Sequence, residues 1–303
     1  MVATVDLSSP DAPAVCRAAC ENVGFFYLKN HGVDEALIER TMDASRAFFA
    51  LPRSEKERVK INSRSKGWTD FAEETLDPSR QKVGGTKEGY YIGRQIEDGD
   101  PELATNPLVG CNQWPQGPEN WKETMLAYHE AMSDLGLRVV RLLSESLGMS
   151  PNHFDAFFDK PMATLRLLHY NQQASDPERG IYAAGAHSDY GMITLLLCDD
   201  VPGLQILQEE KWIKVPPRQK TFIVNLGDML QRWTNDRYRS TIHRVINTSG
   251  KERYSIPFFY EPNFDCVVSC LENCGEPQYA PITSGQHLLE KYSQTHAHCA
   301  DEV

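Results

Sequence analysis

The stretch Ala184-Gly-Ala-His187-Ser-Asp189-Tyr-Gly191 decides how this chain is read. Its flanks, Leu165 to Tyr170 and Met192 to Leu197, read as β structure. On a strand, residues two apart share a face, so His187 and Asp189 project together while Ser188 turns away. An imidazole beside a carboxylate offers two of the three ligands of a facial triad for non-haem iron(II). His243, in Ser240-Thr-Ile-His243-Arg-Val245, is the candidate third ligand. Further on, Arg253-Tyr-Ser255 places a guanidinium and a hydroxyl on one strand face by the same period of two. A lone His-x-Asp carries little information, because many such pairs are ordinary hydrogen-bonded core pairs. Its conjunction with a distal His and an Arg-x-Ser, in that order and on strand-like flanks, is specific.

Around this stretch the chain reads as a mainly β core with helices. Short β runs occupy 164–170, 185–188, 192–197, 204–208, 212–215, 221–226, 243–246, 253–260 and 265–269. Short strands at such close spacing point to a double-sheet jelly roll or barrel. Upstream, apolar residues at 121, 125, 128, 132, 135, 139, 142, 143 and 147 alternate steps of four and three, one face of a long helix that Gly148 ends. That helix is expected along the outside of the sheet, with His129 and His153 as surface or helix-end residues. The N-terminal part reads as a strand at 4–7, a helix from Pro10 to about Asn22, a strand Gly24 to Leu28 and a helix from Asp34. Residues 60–118 are dense in Gly, Pro, Asn and Asp and read as loops with short strands, in which Trp68, Tyr90 and Tyr91 are expected to border a substrate pocket. A mobile lid over 60–95, with the final helix from Ser284 to about Thr295, is expected to close on substrate. Asp228, after a glycine, reads as the cap of a short helix to Trp233.

Composition excludes several classes. At 303 residues the chain can bury a sizeable core, and 41% hydrophobic with 24% charged residues is ordinary for a soluble globular protein. A formal charge of -11 argues against a nucleic-acid or anionic-membrane surface. No apolar run approaches the roughly 20 residues of a membrane span. Met1-Val-Ala-Thr-Val-Asp6 lacks a signal core, so a cytoplasmic location is expected, and a monomer. Eight cysteines in a chain this long are not a disulfide scaffold. Cys266, Cys270 and Cys274, with His296, His298 and Cys299, hint at zinc, but zinc pairs are usually closer, as in Cys-x2-Cys. Reduced thiols are the better reading.

With those residues in view, the chain resembles the isopenicillin N synthase-like branch of the iron(II)/2-oxoglutarate oxygenases over nearly its whole length. Gly24-Phe-Phe-Tyr-Leu-Lys-Asn-His-Gly32 and Phe48-Phe-Ala-Leu-Pro52 are similar to the family's N-terminal region. Leu165-Arg-Leu-Leu-His-Tyr170, His187-Ser-Asp-Tyr-Gly-Met-Ile-Thr-Leu-Leu196, Gly203-Leu-Gln205, Asn225-Leu-Gly-Asp228, His243-Arg-Val245 and Arg253-Tyr-Ser255 are similar to its core. Within the branch, the Leu-Leu-His-Tyr170 and Tyr-Ile-Gly-Arg94 wording is similar to the group that includes fungal thymine 7-hydroxylase and uncharacterised plant-type members. The resemblance implies an α+β fold with a double-stranded β-helix, a helical N-terminal region over 1–118 and an oxygenase core over 119–303, packed as one unit. It also implies that Tyr170 helps to hold the cosubstrate. Many plant members carry Asn-x-Tyr-Pro-Pro where this chain has Leu168-His-Tyr-Asn-Gln172, so Leu168 lacks the amide.

The chemistry follows from the residue types. Two neutral imidazoles and one carboxylate leave iron(II) with a net charge of +1 and three adjacent open positions. A 2-oxoacid chelates through keto oxygen and carboxylate, and one position remains for dioxygen. The far carboxylate of 2-oxoglutarate then needs a cation, which Arg253 supplies bidentately, with Ser255 as a neutral donor beside it. The outcome is succinate, carbon dioxide and an oxidised small molecule, by hydroxylation, demethylation, desaturation or ring closure, with ascorbate as an expected stimulant. Phe259 shares the Arg253 face and is expected to border the substrate. Two other readings stay open: an iron oxidase that does not use 2-oxoglutarate, since such members of the resembling family also carry Arg-x-Ser, and a sensor that binds metal and 2-oxoacid without turnover.

Overall fold

The β runs fall into two facing sheets in the computed structural model, which describes residues 1–295. His296, His298 and Cys299, weighed above as zinc ligands, lie outside the described residues. The larger sheet runs β1 (Ala3–Asp6), β2 (Phe25–Lys29), β10 (Phe222–Leu226), β7 (Ile193–Cys198), β12 (Arg253–Glu261), β5 (Met162–Tyr170), β4 (Lys87–Gly93) and β3 (Gly67–Thr69). The smaller runs β6 (Ala184–His187), β11 (His243–Val245), β8 (Leu204–Gln208) and β9 (Lys211–Lys214), and β13 (Val267–Val268) pairs with β14 (Ile282–Thr283). Two sheets closed over a shared interior form the expected jelly roll. Four strands of the larger sheet come from the first 118 residues, so the N-terminal region completes the core sheet rather than standing beside it.

Alternation divides each strand between two cores. Phe25, Tyr27 and Ile223 of the large sheet meet Leu204 and Ile206 of the small one, and Leu168 and Tyr170 meet Ala184 and Val245. The opposite face of the large sheet, with Leu165, Leu167, Leu195, Val224, Ile256 and Phe258, packs under the helices α1 (Ala12–Asn22), α2 (Glu35–Phe49) and α5 (Trp121–Ser146). Burying each such side chain stabilises by about 1.5–3 kcal/mol. All the periodic apolar residues of α5 are buried, and Gly148, at φ +80°, turns the chain away. Gly136 lets this helix touch the sheet, since a Cβ there would lie 2.8 Å from the Tyr260 ring. Asp34 caps α2 by accepting from the Ala36 amide at 3.1 Å. Short helices α3 (Arg53–Glu57), α4 (Glu102–Thr105) and α6 (Asp228–Trp233) and the final α7 (Ser284–Thr295) complete the described chain.

Several expectations are corrected here. Trp68 and Tyr90 are cross-strand partners on the helix side of the sheet, not pocket residues. Tyr90 packs edge-on against Phe48 and Trp121, and Trp68 donates to the buried Glu88 carboxylate at 2.8 Å. Loop composition suggested a pocket wall, but period-two burial prevailed. The span 60–95 cannot move as one lid, because it holds β3 and β4, and β4 is paired to β5 along its whole length. The longest stretch of that span without helix or strand is 70–86, and it lies over the end of β6. His129 is buried against Phe258, its Nε2 3.3 Å from the Ala163 carbonyl, and burial pushes its pKa down to about 4.

Candidate active site

Antiparallel pairing of β6 and β11 makes His187 and His243 direct neighbours, with ring centroids 4.3 Å apart. Strand β6 ends at His187, so Asp189 lies in the turn after it rather than on the strand, yet it reaches the same point. Asp189 Oδ1 is 3.9 Å from His187 Nε2 and 3.7 Å from His243 Nε2, and the ligand atoms of all three lie within 4.8 Å of one another.

The surroundings fix each ligand's orientation. His187 Nδ1 donates to the Gly185 carbonyl at 2.8 Å and His243 Nδ1 to the Thr241 carbonyl at 3.1 Å. A carbonyl can only accept, so each Nδ1 carries the proton and each Nε2 presents its lone pair to a metal. Asp189 Oδ2 accepts from Thr194 Oγ1 at 2.5 Å and Asn225 Nδ2 at 2.7 Å, which turns Oδ1 toward the imidazoles. Burial, then the neighbouring His243, pushes the His187 pKa down to about 4, so its ring is neutral at pH 7. Burial alone would raise the Asp189 carboxyl, but the two histidines and the Thr194 and Asn225 hydrogen bonds outweigh it and hold it below the usual range. Two imidazole nitrogens and one carboxylate oxygen, each held by a second partner, suit iron(II).

Asp228 is not the cap of α6, where Gly227 holds that position without a side-chain bond. Its carboxylate instead accepts from Ser188 Oγ at 3.2 Å, Ser240 Oγ at 2.6 Å and Lys291 Nζ at 2.6 Å, joining the approaches to both histidines to α7.

On the facing sheet, registers align Lys87, Tyr170 and Arg253 in one cross-strand row and Gly89, Leu168, Ser255 and Cys198 in the next. Arg253 is 2% exposed. Its Nε donates to the Val201 carbonyl at 3.2 Å, Nη1 to Ser255 Oγ at 3.1 Å and Nη2 to Cys198 Sγ at 3.3 Å, while its guanidinium lies 4.8 Å over the Tyr170 ring. None of these partners is an anion. Asp199 acts on the guanidinium through space without bonding to it, and a buried charge with no carboxylate bonded to it is costly, so the arrangement suits an incoming carboxylate. Phe259 is half-buried in a row with Thr194 and Asn225, on the triad's side of the sheet. Tyr91 faces the same side, under the Arg166 guanidinium at 4.4 Å.

Thr194, Asn225 and Asp228 were not singled out in the sequence as supports of the ligands. Asn225 and Asp228 stand in the resembling run Asn225-Leu-Gly-Asp228, and nothing in their spacing shows that one meets Asp189 and the other Ser188. Arg166, Lys87 and Glu74 were missed as well. The period of two from Tyr170 back to Arg166 was the available signal.

Comparison with known proteins agrees with this geometry. Residues 162–262 match the 2OG-Fe(II) oxygenase superfamily, and residues 2–117 match the N-terminal region described as non-haem dioxygenase in morphine synthesis. The 2-oxoglutarate-Fe(II) type oxidoreductase hxnY of Emericella nidulans is 41% identical over 92% of this chain and 83% of its own. The structure of full-length thymine 7-hydroxylase from Neurospora crassa with alpha-KG and thymine superposes with a TM-score of 0.84 at 28% identity, covering 97% of this chain and 96% of that one. JOX2 in complex with 2OG, Fe and JA gives 0.81 at 31% identity, over 96% and 84%. The chain belongs to the 2OG-Fe(II) oxygenase superfamily. It is a 2-oxoglutarate-dependent dioxygenase that uses iron(II), 2-oxoglutarate and dioxygen.

Proposed function

We propose that this enzyme hydroxylates a small organic molecule, with His187, Asp189 and His243 holding the iron and Arg253, Ser255 and Tyr170 holding 2-oxoglutarate. The observation that carries the cosubstrate assignment is Arg253, a buried cation whose hydrogen bonds all go to neutral groups. Its guanidinium grips the distal carboxylate, and Ser255 Oγ, which accepts from Arg253, has its own proton left to donate. The Arg253 guanidinium lies 4.8 Å over the Tyr170 ring, which helps to position it. Leu168, where many plant relatives place an asparagine, offers that carboxylate no hydrogen bond, so Arg253 and Ser255 carry more of the binding.

When bound, the iron activates dioxygen and couples its reduction to decarboxylation of 2-oxoglutarate. One oxygen atom ends in succinate and the other in the hydroxylated product, with carbon dioxide released. The residues orient the imidazoles, aim Asp189 Oδ1 and exclude water with the apolar layer between the sheets. Phe259 and Tyr91 are placed to border the substrate. Residues 1–118 act as the supporting region and 119–303 as the catalytic core.

No described helix is long and apolar enough to cross a membrane. The described cysteines are all unpaired, which supports a reducing, cytoplasmic setting. Screening metabolite classes for stimulated succinate release, with mass spectrometry in ¹⁸O₂, tests the proposal. A product carrying one labelled oxygen and one succinate per turnover is expected. Turnover of a substrate without 2-oxoglutarate would overturn it in favour of the oxidase reading.

A further inference from the structure

Two of the three proposed iron ligands sit on paired strands, and the third does not. The β6–β11 ladder fixes His187 and His243, whereas Asp189 lies in the stretch 188–192, which belongs to no strand. The backbone that carries Asp189 therefore depends on what holds this turn from outside the sheet.

The first support is α6. Four successive carbonyls of the turn accept from its opening amides: Asp228 donates to Asp189 at 2.8 Å, Met229 to Tyr190 and Gly191 at 3.2 and 3.1 Å, and Gly227 to Met192 at 3.0 Å. The first amides of a helix have no partner within it, so turn and helix satisfy each other. Contact is close on both sides. A Cβ on Gly227 would strike the Gly191 carbonyl, and one on Gly191 would strike the Glu261 carboxyl, which itself accepts from the Met192 amide. With six residues, however, α6 is a weak anchor by itself.

The second support is α7. His287 is buried, and its Nε2 lies 2.9 Å from the Tyr190 carbonyl. A carbonyl can only accept, so Nε2 carries the proton and donates. Four residues on, Lys291 reaches the Asp228 carboxylate at 2.6 Å, and Tyr292 meets the Tyr190 ring edge-on at 5.7 Å. Residues four apart share a helix face. One face of α7 thus holds both the residue that follows Asp189 and the residue whose amide holds Asp189.

We propose that His287 is a positioning residue for the iron site, which fixes the turn carrying Asp189 through the Tyr190 carbonyl and so sets metal affinity and ligand geometry from α7. This deepens the oxygenase reading and rests on its assignment of the iron ligands. The competing reading is that His287 only packs α7 on the core, as the buried Leu288 beside it does.

The test reads the metal rather than turnover. Anaerobic protein without 2-oxoglutarate is titrated with iron(II) against a chelator, and separately with cobalt(II), whose d–d absorption bands report the arrangement of the ligands. His187→Ala comes first: if it binds metal as the native protein does, the ligand assignment fails and this inference falls with it. Where that control loses metal, His287→Leu and His287→Ala, which both lack the donor, should weaken iron(II) by about tenfold and alter the cobalt bands. His287→Gln, whose side-chain amide can donate to the same carbonyl, should restore both. Leu288→Ala should lower Tm but leave affinity and bands native. Native affinity and bands in either donor-less protein, or an equal loss in Leu288→Ala, would overturn the proposal.

Discussion

At the scale of single residues, each proposed iron ligand is held by a second partner. The Asn225 amide and the Thr194 hydroxyl occupy Asp189 Oδ2, and this leaves Oδ1 as the one oxygen aimed at the histidines. Loss of such a partner typically costs about 10–100-fold in metal affinity. Asn225→Ala is therefore expected to weaken iron(II) binding by roughly that factor while the fold persists, as competition with a chelator would measure. An unchanged affinity would mean that Thr194 alone orients Asp189. The meeting of His187, Asp189 and His243 was legible because metal chemistry restricts residue types and a strand restricts spacing. Their supports were not, because Asp189 meets Asn225 across two strands, a relation that register creates and linear spacing does not show.

At the scale of elements, period mattered more than composition. The apolar period of α5 foretold its buried face almost residue by residue, and strand boundaries fell within one or two residues. Its glycine at 136 was silent in the sequence, yet Tyr260 sits against it, stacked on Phe158. Overpacking there costs about 1–3 kcal/mol, more than the ~1 kcal/mol that alanine gains in a helix. Gly136→Ala should lower Tm by a few degrees in a thermal melt, and a rise would show that the contact relaxes freely.

Beneath β4, Glu88 accepts from Lys56 at 2.7 Å, Trp68 at 2.8 Å and His169 at 2.8 Å. Burial would raise its pKa, but these donors hold it below the ordinary glutamate value of 4.5. The stabilisation is therefore fully present above that value and is lost as pH falls through the folded pKa. Glu88→Gln should cost about 3–5 kcal/mol at pH 7, because Lys56 is left buried without its partner, and should flatten the loss of stability in acid. Denaturant titrations across pH 3–7 would show both effects (a range chosen to bracket the carboxylate pKa values of about 4). An unaltered acid slope would place the sensitivity elsewhere. Trp68 was misread because an aromatic in a Gly-rich stretch looks the same whether it lines a pocket or seals a core.

At the scale of the whole molecule, the proposed site would let iron and 2-oxoglutarate fasten the two sheets to each other. The proposed metal ligands come from β6, β11 and the turn after β6, while Arg253, Ser255 and Tyr170 belong to the facing sheet. A ligand bound only by the folded state stabilises it by about 2.7 kcal/mol at a hundredfold excess over Kd. Iron(II) and 2-oxoglutarate together should raise Tm by more than the sum of their separate shifts, with chelator reversing the rise. Purely additive shifts would mean that the two sites do not communicate. Architecture was legible because many short strands admit few closed arrangements. The covering segment 70–86 was not, since it has neither period nor caps, and with it went Glu74.

The central claim is that Arg253 anchors 2-oxoglutarate opposite an independent iron site. Removing a buried charge-assisted partner costs about 2–5 kcal/mol, and each 1.4 kcal/mol is tenfold. Titrating 2-oxoglutarate into anaerobic iron(II) protein, followed by the metal-to-ligand absorption band, measures this directly. For Arg253→Leu the midpoint should rise by roughly thirty- to several-thousandfold with iron affinity nearly unchanged, whereas Ser255→Ala should lose about 1 kcal/mol. A midpoint for Arg253→Leu equal to that of the native protein would contradict the account.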